Sequence, residues 1–351
     1  LDIRSILRSL SASPGISGYE GCAADVIESA CPWIDESRRD TLGNLIMLKR
    51  GSGPEPRPKI MLAAHMDEIG LIITKIEKEG FVRFTTIGGF DPRVLLAQEV
   101  TAHGRQSVHG IIGAKPPHVQ DPKERSKTVP LEDMFIDFGF ASEQEAAAVL
   151  TVGDPITMRR SAVDLQGSYM AGKAMDDRAG AAAMLECLKQ LNRMEHTADI
   201  YATATVQEEV GLRGAVTSSY GIVPDLAIAL DAGFGDMPGV PDSDTIQIGH
   251  GPGIAIGPHV HPKLFEAVKR TAEEWNIRYS LEPSPLPGGT DTFAIQVARA
   301  GVPTILLSIP VRYMHTPVET LNYSDVAAAG KLLAMFTASV ENGFVEGLLC
   351  Y

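Results

Sequence analysis

The chain has 351 residues, more than one hydrophobic core usually organises, so two domains or one large domain with an insertion are expected. Its 44% hydrophobic and 21% charged residues are ordinary for a globular protein, and no apolar run approaches the roughly 20 residues of a membrane-spanning helix. A net charge of −13 argues against a nucleic-acid partner, because phosphate binding needs concentrated Lys and Arg.

Four cysteines, Cys22, Cys31, Cys187 and Cys350, are widely scattered and form no C-x-x-C pair. That disfavours a zinc ribbon or a thiol redox motif and fits reduced, mostly buried thiols in a cytoplasmic protein. The first residues, Leu1-Asp2-Ile3-Arg4, carry no charged-then-apolar leader pattern.

Residues 1–35 read as two helices, with Ile3, Ile6, Leu7 and Leu10 at helical spacing and a break at Ser13-Pro14-Gly15. A strand is expected over 45–49, then a Gly/Pro-rich hairpin loop over 51–58. Lys59-Ile60-Met61-Leu62-Ala63-Ala64 is a continuous apolar run, the mark of a strand buried on both faces. It ends in His65-Met66-Asp67-Glu68. On an extended segment His65 and Asp67 point the same way, and a carboxylate beside a metal-binding histidine fixes its tautomer. A polar strand-end role is the plain alternative for His65.

Residues 70–160 change character. Short stretches rich in β-branched residues (69–76, 81–86, 99–101, 110–113 and 155–158) are punctuated by Gly and Pro, and helical periodicity survives only near 142–148, where Ser142 and Glu145 form a capping box. This reads as a small β-rich domain inserted into an α/β domain. His118 lies at the end of an extended exit, Gly113-Ala114-Lys115-Pro116-Pro117-His118. It is a candidate active-site residue, although a surface histidine is the commoner outcome.

Ala171-Gly172-Lys173-Ala174-Met175-Asp176-Asp177-Arg178 returns to the α/β part and opens a helix over 178–191. Asp176 and Asp177 suit N-terminal caps, cation ligands, or one of each. The strand 199–206 delivers Glu208 and Glu209. Adjacent carboxylates resist ionising together when they lose water, so a cation or a catalytic base explains such a pair, and a solvated loop explains it more plainly. The strand 225–230 delivers Asp231. An amphipathic helix follows over 262–275, then the glycine-rich Gly288-Gly289-Thr290-Asp291 before another helix. The strand 302–308 precedes Arg312-Tyr313-Met314-His315, and the helix 323–340 closes the chain. His103, His109, His196, His250, His259 and His261 lack strand-end placement with acidic companions, and a structural or solvent-exposed role is expected for the His259-Val260-His261 pair.

The histidines and acids that do follow strand ends or open helices converge on one rim if the sheet is doubly wound. Two His with several carboxylates suit Zn²⁺, Co²⁺ or Mn²⁺. Five or six candidate ligands exceed what one ion needs and point to two ions sharing a carboxylate, with a remaining glutamate free as general base.

In these motifs, taken in order, the sequence resembles the TET-type aminopeptidases, also described as glutamyl or deblocking aminopeptidases and cellulase-M-like proteins. The motifs are Ala64-His65-Met66-Asp67-Glu68-Ile69-Gly70 and the segments 113–118, 172–180, 207–214, 230–233, 288–291 and 312–319, nearly the whole chain. The resemblance implies a metallopeptidase-type doubly wound mixed sheet flanked by helices, with a barrel-like insertion that mediates dimerisation. The expected division is 1–69 and 162–351 catalytic, 70–161 inserted. It implies two metal ions: His65 and Asp231 on one, Glu209 and His315 on the other, and Asp176 bridging. Asp176 is chosen over Asp177 because related dinuclear peptidases place the bridging Asp four residues before the helix glycine, here Gly180. Glu208 is then the general base and Asp67 the partner of His65, while Gly289, Thr290, Asp291 and His118 are candidate substrate contacts. Asp291 either favours basic substrate side chains or caps the following helix. The implied activity is removal of N-terminal residues from short peptides with a free amino group, by dimers assembled into a homododecamer. A dinuclear deacylase of the carboxypeptidase type is the alternative, and a glycosidase or a catalytically inert shell protein stand further off.

Overall fold

The computed structural model describes residues 2–123, 125, 127–285 and 288–348. Cys350 and two residues of the loop before Gly288 lie outside them. Among the described residues, eleven strands form one mixed sheet, and six more close into an antiparallel barrel.

The sheet is built on four parallel strands in the order Asp199–Thr205, Lys59–His65, Leu226–Phe234, Thr304–Arg312. All four are apolar runs buried on both faces, as central parallel strands must be. Successive side chains point to opposite faces. Thus Leu62 and Ala64 join the larger core, with the helices Ile3–Ala12, Met175–Leu191, Pro262–Glu274 and Tyr323–Ser339. Met61 and Ala63 join a smaller core under Arg213–Ile222 and Asp291–Gln296. Antiparallel strands extend both edges, Glu36–Arg39 and Leu45–Lys49 on one side, Glu319–Asn322, Tyr169–Gly172 and Val163–Asp164 on the other. Gly253–Ile256 and Ser280–Pro283 add beside Thr304–Arg312.

The segment 51–58 is not a hairpin. Asp199–Thr205 inserts between the two strands it joins, antiparallel to Leu45–Lys49 and parallel to Lys59–His65. The turn residues there mark a loop correctly, but the pairing depends on a strand about 140 residues away, which local composition does not encode.

The barrel follows the strand carrying His65 directly. Its strands run Gly70–Ile76, Val82–Ile87, Phe135–Asp137, Ser107–Gly113, Glu99–His103, Pro155–Met158 around the barrel, and the last pairs with the first. Leu71, Ile73, Val82, Val100, Ile112, Ile136 and Ile156 fill it. The chain then re-enters the sheet through Val163–Asp164 and Tyr169–Gly172 and opens the helix bearing Asp176. The insertion therefore sits between two site-bearing segments. Cys31 and Cys187 are buried and Cys22 exposed, all three as free thiols, and no helix among the described residues is long and apolar enough to cross a membrane.

Candidate metal centre

The central strands carry the site near their carboxyl ends: His65 ends Lys59–His65, Glu208 and Glu209 follow Asp199–Thr205, Asp231 lies within Leu226–Phe234, and His315 follows Thr304–Arg312. His65 is buried. Its Nδ1 lies 3.1 Å from the carbonyl oxygen of Asp67 and 3.4 Å from the Asp67 carboxylate. With the proton on Nδ1, Nε2 presents a lone pair to the cluster. Nε2 lies 3.1 Å from Asp176 Oδ1 and 3.8 Å from Asp231 Oδ1. Asp176 turns its other oxygen, Oδ2, to His315 Nε2 at 3.4 Å, and that nitrogen is also 3.4 Å from Glu209 Oε2.

Two groups result, His65–Asp176–Asp231 and Asp176–Glu209–His315, each with ligand atoms within 4.8 Å of one another and with Asp176 common to both. Glu208 flanks the first, its Oε2 4.0 Å from His65 Nε2. The donor set fits a pair of divalent cations: imidazole nitrogens and carboxylate oxygens, with a carboxylate in bridging position.

The electrostatics follow from crowding acids away from water. Burial, then Asp291, Glu209 and Asp67, push the Glu208 carboxyl up to about 9. Burial pushes Asp231 well above its ordinary value, with Asp176 and Glu208 adding to it. Burial also acts on Asp176, but His315 and His65 overcome it and hold its carboxyl below the usual range. Contacts with Asp176 and Glu209 raise His315 to about 11.

The family model described as M42 glutamyl aminopeptidase matches residues 43–332. The chain belongs to this family. It is 37% identical over 334 residues to the lysyl aminopeptidase of Pyrococcus furiosus, covering 93% of this chain and 94% of the relative. Among solved structures, the TET aminopeptidase of a marine sediment Thaumarchaeota archaeon superposes with a TM-score of 0.93 at 36% identity, covering 99% and 98% of the two chains. The TET1 peptidase of Pyrococcus horikoshii, described as able to assemble into a tetrahedron or a large octahedral shell, gives 0.86 at 32% identity, covering 97% and 100%. The M42 chain is an aminopeptidase, a peptide hydrolase.

Several residues that hold this M42 site together were not singled out in the sequence. Asn44 accepts from Val206 N–H at 3.0 Å and donates to Gly214 O at 3.1 Å, clamping the turn that carries Glu208 and Glu209. Glu20 accepts from the N–H of Gln207 at 3.1 Å, where the backbone is left-handed (φ 55°). Glu319 accepts from the N–H of His315 at 2.8 Å and of Asp176 at 3.1 Å, tying two segments of the site to one carboxylate. Burial, with Asp176 nearby, raises Glu319 to about 8. Beneath lies a buried ion cluster. Glu68 takes Lys173 Nζ at 2.7 and 2.8 Å, while Arg178 reaches Glu68, the carbonyl oxygens of Leu10, Ser13 and Met66, and Ser13 Oγ. The signal was present in the sequence, since Glu68, Lys173, Arg178 and Glu319 all lie in the motifs, but charge alone does not name a partner.

Asp177, beside Asp176, faces inward and accepts from Gly180 N–H at 3.0 Å. Asp291 is buried and bonded to Thr205 Oγ1, and the N-cap position of its helix belongs to Thr290. Gly289 is exposed and Thr290 half-buried. His118 is exposed on the short turn Pro117–Val119, with no bond or ion pair to the cluster among the described residues. His259 and His261 are buried, and His261 Nε2 lies 2.7 Å from Leu348 O. Beside Asp176 and Glu209 a small pocket is walled by Phe90 and Met158 of the barrel and by Thr316 and Pro317.

Proposed function

We propose that this M42 aminopeptidase removes residues from the free N-termini of short peptides, using two divalent ions. His65 and Asp231 would hold one, Glu209 and His315 the other, with Asp176 between them. The observation that carries this reading is the pair of His–carboxylate groups sharing Asp176, with Glu208 alongside. Bound there, Zn²⁺, Co²⁺ or Mn²⁺ would supply Lewis-acid polarisation of the scissile carbonyl and acidify water.

The chain's own groups do the rest. Glu208 takes a proton from the attacking water. The proton then passes from the Glu208 carboxyl to the leaving nitrogen. Asp67 fixes the His65 tautomer and, through the N–H groups of Glu208 and Glu209, the turn carrying both acids. Glu319 holds the backbone of His315 and of Asp176 through their N–H groups.

We also assign residues 1–69 and 162–351 to the catalytic part and 70–161 to an inserted barrel through which copies pair, with dimers building a dodecamer. The tetrahedral or octahedral shell described for the Pyrococcus horikoshii relative supports a large homo-oligomer, and sedimentation velocity tests the dodecamer.

The deciding experiment uses free and N-acetylated aminoacyl chromogenic amides, before and after chelation, with Zn²⁺, Co²⁺ or Mn²⁺ restored. Metal-dependent cleavage of the free-amine substrates alone is expected. Cleavage of the acetylated set would move the assignment to a deacylase, and chelation-resistant activity would remove the metals from it. Glu208→Gln keeps both metals and loses turnover; a variant that keeps turnover sinks the general-base role.

A further inference from the structure

The two histidines of the centre are held in different ways. The His65 side chain is 2% exposed, and Asp67 binds the ring nitrogen that faces away from the other acids. His315 stands in the loop between Thr304–Arg312 and Glu319–Asn322, with its side chain 37% exposed. Its Nε2 is turned to Asp176 and Glu209, and Glu319 takes its backbone N–H. Among the described residues no hydrogen bond or ion pair reaches its Nδ1. A metal-bound imidazole is ordinarily oriented by a partner at that second nitrogen. Within the chain, what is left to orient the His315 ring is packing.

That packing comes from the inserted barrel. Its strand Val82–Ile87 runs into the turn Gly88-Gly89-Phe90-Asp91. A Cβ at Gly89 would stand 3.1 Å from His315 Nδ1 and 3.5 Å from its Cε1, and outside the adjoining residues it would meet no other atom within 4 Å. Gly89 is exposed and its φ lies outside the left-handed region, so the His315 ring alone opposes a side chain there. Gly88 does have a left-handed backbone, φ 77°, and its Cβ position lies 2.5 Å from Ile69 Cγ2. Ile87 pairs with Gly70. The turn is thereby seated on the segment that leaves His65, while its second glycine reaches His315. Two adjacent glycines thus join the segments of both candidate groups, through a domain that contributes no ligand to either.

We propose that Gly89 is a positioning residue for His315: lacking a side chain, it lets the barrel turn close on the imidazole and fix it for the ion shared with Glu209, as Asp67 fixes His65 for the other. This rests on the two-ion reading above. The two ions are then retained by separate devices, and the one that depends on the barrel is the one at Glu209 and His315.

The test titrates Co²⁺ into the metal-free enzyme, wild type and variants, by visible absorption and in competition with a chelator. The wild type is expected to take up two Co²⁺ per chain. Gly89→Val should weaken one of them by about tenfold or more, and Gly89→Ala by less, while the other stays within about twofold. His315→Ala identifies the affected ion: in that background Gly89→Val should change the remaining Co²⁺ affinity by less than about twofold. Unchanged binding of both ions in Gly89→Val overturns the proposal. So does an equal weakening of both, or the same further loss in the His315→Ala background. If Gly89→Val does not fold, Gly89→Ala decides on the same criteria. Failure of the two-ion reading shows differently, as a wild type that takes up fewer than two Co²⁺, and it overturns this proposal with it.

Discussion

The Asp67 carboxylate accepts the backbone N–H of Glu208 at 3.0 Å, so the residue that orients His65 also fixes the proposed base. Its other oxygen takes Ser17 Oγ at 2.6 Å and Glu209 N–H at 3.2 Å. The side chain is fully buried and surrounded by donors. Asp67→Asn would turn an amide donor towards at least one of them. The expected cost is about 1–3 kcal/mol in stability and about 10–100-fold in metal affinity. Urea unfolding and metal competition against a chelator measure the two. Normal metal affinity in a folded Asp67→Asn would remove the orienting role.

Asp291 gives a pH signature. Burial raises its carboxyl from 3.8 to about 6, partly offset by Thr205. The folded form therefore binds this proton more tightly than the unfolded form. Below about pH 4 both forms are protonated and the group is neutral in the balance. Between about pH 4 and 6 the unfolded chain releases this proton while the folded state keeps it, so stability falls across that window and stays lower above it, by up to about 3 kcal/mol. Asp291→Asn keeps an acceptor for Thr205 and removes the ionisation. In chelator-treated protein the variant should melt above the wild type at pH 7–8, with the gain vanishing near pH 4. A gain of equal size at both pH values contradicts the burial argument.

Much of this was readable in the chain because strand ends announce themselves. The apolar run before His65, and those before Glu208 and Asp231, are strands whose polar terminal residues break the pattern. The barrel was readable from the loss of helical periodicity. What escaped depends on long-range partners or weak local signals. Glu36–Arg39 is Glu-Ser-Arg-Arg, exposed throughout, and is a strand only because Leu45–Lys49 pairs with it. Arg213–Ile222 contains two glycines and several Ser and Thr residues, poor helix formers that burial of Ala215 and Ile222 overrides. The bond of Glu282 to Ser308 gave no warning, since that serine lies 26 residues away on a strand that its own does not touch directly.

The cluster of Glu68, Lys173 and Arg178 predicts asymmetric costs. Lys173 and Glu68 are both buried, and burial lowers the Lys173 ammonium from its ordinary value while Glu68 supports it. Removing one partner strands the other charge. Lys173→Met should cost about 3–5 kcal/mol, and the double variant Lys173→Met/Glu68→Gln should recover part of that loss. Urea denaturation of the full cycle measures the coupling. Strictly additive losses would mean that the two groups act independently despite their 2.7 Å contact.

Gly180 separates a steric requirement from a conformational one. It lies within the helix Met175–Leu191, where alanine is ordinarily preferred. A Cβ there would stand 2.4 Å from Asp177 Oδ2 and 2.5 Å from Oδ1. The Asp177 carboxylate is fully buried and accepts from the N–H of Gly180 itself, so it has little room to withdraw. Gly180→Ala should therefore destabilise by about 1–3 kcal/mol and, by displacing the Asp176–Asp177 turn, weaken metal retention. Gly221, in the helix Arg213–Ile222, has nothing within 4 Å of its Cβ position. Gly221→Ala should stabilise by about 0.5–1 kcal/mol and leave metal binding alone. Denaturation midpoints and metal content of the two variants, measured side by side, give opposite signs if crowding at Asp177 is the cause; the same sign in both would mean that helix propensity alone governs Gly180.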